Sequence, residues 1–263
     1  MPKTVLIVPC YNEEARLDRA EFLRLARARP DLELLFVDDG SRDRTAETIE
    51  AMRAADPRIA LHRLERNGGK AEAVRRGLLA ALERGADVVG YADADLATPV
   101  DELLRLVRAL EERGGSVVLG SRVRLLGAGI ERHAARHYLG RLFATVASLA
   151  LRVPVYDTQC GAKLFRRTEA LRQALAVPFR SRWAFDVELL QRLLSGSATV
   201  APLAPDEFRE IPLEAWRDAR GSKLGLGSMI RAGLDVLGML LRSRFRRRRS
   251  APDRARATAP GAR

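Results

Sequence analysis

Asp93 and Asp95 stand one residue apart in the stretch YADADLATP, residues 91–99, where an apolar run ends. Like charges this close repel. In extended backbone both side chains point to the same side. Two chemistries suit the pair. One is a solvated turn, with Asp and Pro99 as turn formers. The other is a cation held between the carboxylates and an anion. Two oxygen ligands on one side, completed by water and a diphosphate, suit Mg²⁺ or Mn²⁺. Such an ion would neutralise a departing nucleoside diphosphate.

Three further polar stretches carry similar promise: PCYNEE at 9–14, DDGS at 38–41 and NGGK at 67–70. No G-x-G-x-x-G follows the first apolar run. Gly68, Gly69 and Lys70 lack the spacing and the Ser/Thr of a phosphate loop. Lys70 nonetheless opens a helical pattern, where a phosphate drawn to a helix N-terminus would meet it.

The elements that must position these residues alternate short apolar runs with helical periodicity, the pattern of parallel βαβ units. Strands are predicted over Thr4–Val8, Leu32–Val37, Ile59–Leu64, Asp87–Ala92 and Ser116–Gly120. Helices are predicted over Glu14–Arg29, Thr45–Ala55, Lys70–Arg84 and Pro99–Arg113. All four polar stretches follow strands. In an open parallel sheet, ligands bind beyond the carboxyl ends of the strands, so the four should converge on one crevice.

Composition narrows the class. The 263 residues are 47% hydrophobic and 30% charged, values of a globular chain that buries a real core. Net charge is +12, but nine Arg and one Asp from Arg242 onward supply +8, leaving +4 on the preceding 241 residues. A nucleic-acid-binding face should be basic in the folded part too, so no nucleic-acid partner is expected. Cys10 and Cys160 make no disulfide framework, which suits a reducing compartment. The apolar run near the N-terminus is too short for a signal peptide. No stretch reaches the roughly 18 apolar residues of a membrane span; Leu142–Leu151 is long enough only for a buried or interfacial helix. Leu224–Leu241 is apolar with Arg231 and Asp235 on one side, and RSRFRRRR follows at once. That pairing suits an anionic membrane surface.

The blocks VPCYNEE, VDDGSRDRT, NGGKAEAVRRGL and the Asp93–Ala94–Asp95 triplet resemble the family 2 glycosyltransferases of GT-A fold. Gly120–Arg122 (GSR), Asp157–Phe165 (DTQCGAKLF), Arg182–Leu190 (RWAFDVELL) and Ala219–Leu224 (ARGSKL) resemble one branch of them. That branch comprises the dolichyl-phosphate β-glucosyltransferases and bacterial polyprenyl-phosphate relatives; dolichyl-phosphate mannose synthases are more distant. The resemblance implies an α/β fold, a mostly parallel sheet with helices on both faces. It implies that Pro9, Tyr11 and Glu13 line the nucleotide, with Glu13 near the ribose, and that Asp39 contacts the base. Asp93 would lie at the ribose and diphosphate, Asp95 would ligate the metal, and Gln159 would stand beside sugar and metal. Arg122 matches a position facing phosphate, and Asp157 lies beside the sugar. Arg132 and Arg136, four apart on one helix face, could hold the acceptor phosphate.

The expected organisation is a catalytic domain over 1–210, a membrane-interface segment over 211–249 and a disordered tail over 250–263. The expected reaction moves a hexose with inversion from UDP-glucose or GDP-mannose to a polyprenyl phosphate, at the inner face of a membrane, from the cytoplasm. A nucleotidyltransferase also needs paired carboxylates and metal, but would open with a Gly-rich loop after the first strand. None of His62, His133 and His137 belongs to a motif. A phosphate monoester, with its second pKa near 6, needs no base to become nucleophilic. It needs arginine to hold it, and Arg122 leads the candidates.

Overall fold

The structure, a computed structural model, describes residues 2–123, 129–131, 134–217 and 233–238, with backbone only for 129–131, 134–139 and 142. The strands are β1 (Thr4–Cys10), β2 (Leu32–Asp38), β3 (Ile59–Arg63), β4 (Val88–Ala92), β5 (Val117–Ser121), β6 (Gly129–Glu131), β7 (Ala162–Arg166), β8 (Phe208–Pro212) and β9 (Ala215–Arg217). The helices are α1 (Arg19–Arg27), α2 (Thr45–Ala55), α3 (Lys70–Glu83), α4 (Val100–Glu112), α5 (Ala134–Leu151), α6 (Glu169–Leu175) and α7 (Phe185–Ser195). Seven strands form one sheet in the order β3-β2-β1-β4-β7-β5-β8, and β6 pairs with β9 in a small second sheet. Only β7 runs against its neighbours, antiparallel to both β4 and β5. The α/β expectation holds.

Strands buried on both faces are mostly apolar, as β1, β2, β4 and β5 are, with Glu33 and Asp38 of β2 the charged exceptions. Two apolar clusters cover the sheet. One is built around Val5, Ile7 and Val37 with α3, α6 and α7; the other around Leu6, Val8 and Phe36 with α1 and α4. Alternate β1 residues thus serve opposite faces, as the pleat requires.

The sheet order reverses direction between β1 and β4. Their ladder ends at Ile7–Tyr91, while β1 continues beside β2 to Cys10–Asp38. Pro9, which has no amide hydrogen to donate, sits in that unshared stretch and costs the sheet no β1–β4 bond. The gap opened there is the crevice expected at such a switch point.

Two boundaries differ from expectation. The first helix starts at Arg19 rather than Glu14. Glu13 O accepts from the amides of Arg16 and Leu17 in a tight turn, and the Asp18 carboxylate caps the helix by accepting from Glu21 N. The seven-stranded sheet also does not stop at 210. Parallel pairing of β5 with β8 runs to Ser121–Pro212, and β9 follows. Of the segment placed at a membrane interface, 211–212 and 215–217 are therefore strand, and Val236 in the helical stretch 233–238 is fully buried against the core. Residues 224–232 and 239–263 lie outside the described residues. No described helix is long and apolar enough to cross a membrane.

Candidate active site

Each polar stretch sits where its strand ends, and the loops tie to one another. Asn12, held at a φ of 52°, donates its amide to Ser41 Oγ (2.9 Å) and accepts from Arg42 N (2.9 Å); Glu13 N donates to Thr45 Oγ1 (2.8 Å). The loops after β1 and β2 are thus one unit. Tyr11 lies within it, half-buried. Asp39 joins the third loop. Its two oxygens accept from Gly68 N and Gly69 N, both at 2.7 Å. Gly69, at a φ of 88°, takes a conformation that a side chain would strain, and Arg182 donates to Gly68 O (3.0 Å) from the other side. Asp39 is nearly fully buried, and that burial raises its carboxyl despite the two amide bonds. The residue expected at the base is also the one that shapes the glycine loop.

That loop starts α3, and Lys70 at its first position forms an ion pair with Asp93. The Asp93 carboxylate rests against Gly161, where any Cβ would overlap it. A buried network lies beneath. Lys163 Nζ donates to Asp186 Oδ1 (2.7 Å) and Cys160 O (2.5 Å), and the Tyr91 hydroxyl donates to the same Asp186 oxygen. A buried ion pair earns little stability, but it fixes geometry when its hydrogen bonds are satisfied. This one links β4, β7 and α7 under the Asp93–Gly161 contact. Burial pushes the Cys160 thiol up to about 11, so it is a packing residue rather than a nucleophile.

Asp95 accepts from Ala97 N (3.1 Å), and Arg16 lies 3.9 Å from its other oxygen. Burial first, and the charge of Asp93 second, raise the Asp95 carboxyl. Arg16 and Lys70 offset this charge only in part, which leaves room for a divalent cation. Among the described residues, no three or more His, Cys, Asp and Glu are placed so that they could hold a metal ion by themselves. An oxygen-liking divalent ion bound here would have Asp93 and Asp95 as its protein ligands and would draw on water and substrate oxygens for the rest.

On the far side of β4, Arg122 and Asp157 grip each other. Nε to Oδ2 is 2.6 Å and Nη2 to Oδ1 is 2.8 Å, with the Arg122 amide adding a third bond at 3.1 Å. The guanidinium also lies over the Trp216 ring, 5.3 Å from its centre. Gln159 N donates to Asp157 Oδ1 (3.0 Å), while the Gln159 Nε2 is buried without a hydrogen-bond partner. The structure joins Gln159 to Asp157 by its backbone; no hydrogen bond joins it to Asp93 or Asp95. Ser121 Oγ and Thr158 Oγ1, in the same two motifs, are also buried and unpartnered. Arg132 lies outside the described residues, and for Arg136 only the backbone, in the first turn of α5, is described.

Sequence reasoning missed Arg16 and the Tyr91–Lys163–Asp186 network. Arg16 was hidden by starting the helix too early. The D-x-x-E pattern of Asp18 and Glu21 is the cap signal that would have exposed it.

The family model described as Glycosyl transferase family 2 matches residues 5–174. A dolichyl-phosphate beta-glucosyltransferase of Trichomonas vaginalis is 33% identical over 89% of this chain and 69% of its own length. The Dictyostelium discoideum protein of that name is 32% identical, over 92% and 73%, and the human one 31%, over 90% and 74%. Among solved structures, glucosyl-3-phosphoglycerate synthase of Mycobacterium tuberculosis, in complex with Mn²⁺ and UDP-glucose, superposes with a TM-score of 0.65 at 20% identity, covering 92% of this chain and 78% of that one. A mannosyltransferase of Pyrobaculum calidifontis, in complex with GDP-Man and Mn²⁺, gives 0.55 at 20%, covering 93% and 64%. At these identities the two structures speak for the fold.

Proposed function

The chain belongs to glycosyl transferase family 2 and is a glycosyltransferase; from that premise we propose that it moves glucose, with inversion, from UDP-glucose to a polyprenyl phosphate of the dolichyl type. The observation that carries this reading is the division of the crevice around β4. Carboxylates with their own cations stand on one side, and an arginine held by an aspartate stands on the other. The curated relatives named above are dolichyl-phosphate beta-glucosyltransferases, and this supports both the sugar and the acceptor.

On this reading Pro9, Tyr11, Glu13 and Asp39 shape the nucleotide pocket, and Lys70 faces the diphosphate. Asp93 and Asp95 hold Mg²⁺ or Mn²⁺, which when bound offsets the charge that builds on the leaving UDP. Asp157 accepts two bonds from the Arg122 side chain, so its work is to orient that arginine. The acceptor phosphate arrives ionised and needs no base; Arg122 holds it in line with the anomeric carbon. Arg132 and Arg136 belong to the same acceptor proposal.

We further propose that residues 224–249 meet the inner face of an anionic membrane from the cytoplasm, with the catalytic unit running from the N-terminus through β9. Leu234 and Leu237, flanking buried Val236, are 62% and 45% exposed, and six arginines lie within 242–249. Truncation after Gly221 should abolish binding to anionic liposomes, and added salt should weaken binding of the full chain.

The deciding assay supplies radiolabelled UDP-glucose or GDP-mannose, with Mg²⁺ or Mn²⁺, to a short-chain polyprenyl phosphate or to its free alcohol. Label should pass from UDP-glucose to the phosphate. Equal transfer to the alcohol would overturn the acceptor, and preference for GDP-mannose would overturn the donor.

A further inference from the structure

Arg16 lies in the turn between β1 and α1. Its Nε and Nη2 grip the two Glu13 oxygens at 2.5 and 2.9 Å, and the same Nη2 stands 3.9 Å from Asp95 Oδ2. Glu13 itself is buried, so the guanidinium has little freedom to wander, yet the arginine side chain keeps 26% of its exposure. The three carboxylates around it, Glu13 first and then Asp95 and Asp93, hold its charge firmly. Lys70 plays the matching part for Asp93. Each member of the carboxylate pair therefore has its own cation, delivered by a different loop and anchored apart from the pair.

We propose that Arg16 is a diphosphate-binding residue that also serves as counter-ion to Asp95 in the free enzyme. Before the donor binds, the guanidinium offsets Asp95. In the donor complex, with Asp95 engaged by a divalent cation, the Glu13-held guanidinium turns its charge to the diphosphate. The leaving diphosphate gains one negative charge as the glycosidic bond breaks, and a positive group fixed beforehand stabilises that charge without reorganising. The inference rests on the donor site proposed above.

It has a signature of two opposite signs. A cation near Asp95 competes with a metal ion for that carboxylate, so removing it favours the metal alone. The same removal takes a partner from the diphosphate, so it disfavours the nucleotide. A merely structural loss of Arg16 would loosen the loop and weaken both.

The experiment titrates the full chain with Mn²⁺ alone, and then with UDP in saturating Mn²⁺, by calorimetry. The proteins are wild type, Arg16→Gln, which keeps a hydrogen bond to Glu13 without the charge, and Arg16→Ala. Arg16→Gln should bind Mn²⁺ alone about 3-fold tighter and UDP about 10-fold weaker. Arg16→Lys should recover part of the UDP affinity. If Arg16→Ala fails to fold, the Gln and Lys variants carry the test. UDP affinity unchanged in Arg16→Gln, or both affinities reduced together, would overturn the assignment to Arg16 alone. Failure of the wild type to bind UDP with Mn²⁺ would overturn the donor site and this inference with it.

Discussion

The two edges of the sheet treat their acids in opposite ways. At the edge where β2 and β3 begin, Asp31 and Asp56 are wrapped by arginines. Arg29 pairs with Asp31 at 2.7 Å, while Asp56 accepts from Arg58 at 2.8 and 2.9 Å and from Arg27 at 3.3 Å. Both carboxyls are held below their ordinary range, Asp56 at about 2, chiefly by the Arg58 hydrogen bonds. At the edge where β2 and β4 end, Asp39 and Asp95 are raised by burial. One set of carboxylates is complete within the protein and stabilises it. The other is buried beyond what its amide bonds and neighbouring cations offset, which leaves it open to a further positive charge. Similar residues beside neighbouring strands thus divide into a foundation and a candidate binding site, according to how fully their burial is offset.

The largest effect should come from the incomplete edge. Asp95→Asn should reduce transfer by roughly 1000-fold or more, since it removes a proposed metal ligand and half of the pair's charge. Its melting temperature should stay level or rise by about 2 °C, because a repulsion is relieved. Substantial turnover under limiting metal would dissolve the distinction between the edges.

Next comes Gly161→Ala. The added methyl must push the Asp93 carboxylate aside while the buried Lys163–Asp186 pair stays whole. A displacement on the order of 1 Å at such a site costs about 100-fold in kcat. Far-UV circular dichroism should be that of wild type. A variant that keeps wild-type kcat would show that Asp93 has slack.

Asp56→Ala should reverse the pattern. Stability should fall by about 1–3 kcal/mol, as buried charge-assisted hydrogen bonds are lost, while activity per folded molecule holds. Urea titration beside a standard transfer assay separates the two. A drop in kcat to match the drop in stability would tie the foundation to the site.

The smallest effect is a difference of sign with pH, read from melts in EDTA. The lowered Asp56 carboxyl adds stability that is complete above the ordinary value of about 3.9 and disappears as pH falls through about 2. The deficit of Asp56→Asn should shrink across that window. The raised Asp95 carboxyl costs stability once pH exceeds about 3.9, so the gain of Asp95→Asn should vanish below about pH 4. If both variants shift in the same direction, the edges are alike.

Much of the donor half is legible from residue order because its information is local. Apolar runs mark β1, β2 and β4, and each polar stretch comes at or soon after the end of its strand. What escaped reading depends on partners far apart. The AKLFR of β7 carries a lysine where a core strand should be apolar, and its burial is made tolerable by Asp186, on α7, together with Cys160 O. Arg122 finds Asp157, and Asp39 finds Gly68 and Gly69, across loops whose meeting no periodicity encodes. Arg16 escaped for a smaller reason, a helix start set five residues early.

The reversed direction of β7 has a bearing on how the chain assembles as it leaves the ribosome. The units β1 through β4 pair among themselves, but the second edge of β4 finds its partner only in residues 162–166. Until these emerge, β4 exposes a row of unpaired amides and carbonyls beside a largely apolar strand, the kind of edge that recruits other chains. β5 waits as well, since both its partners, β7 and β8, come later. Folding must therefore close over a long span, a slow step by topology. A nascent chain halted before Ala162 would present its most aggregation-prone edge at the very place where Asp93 will later be seated.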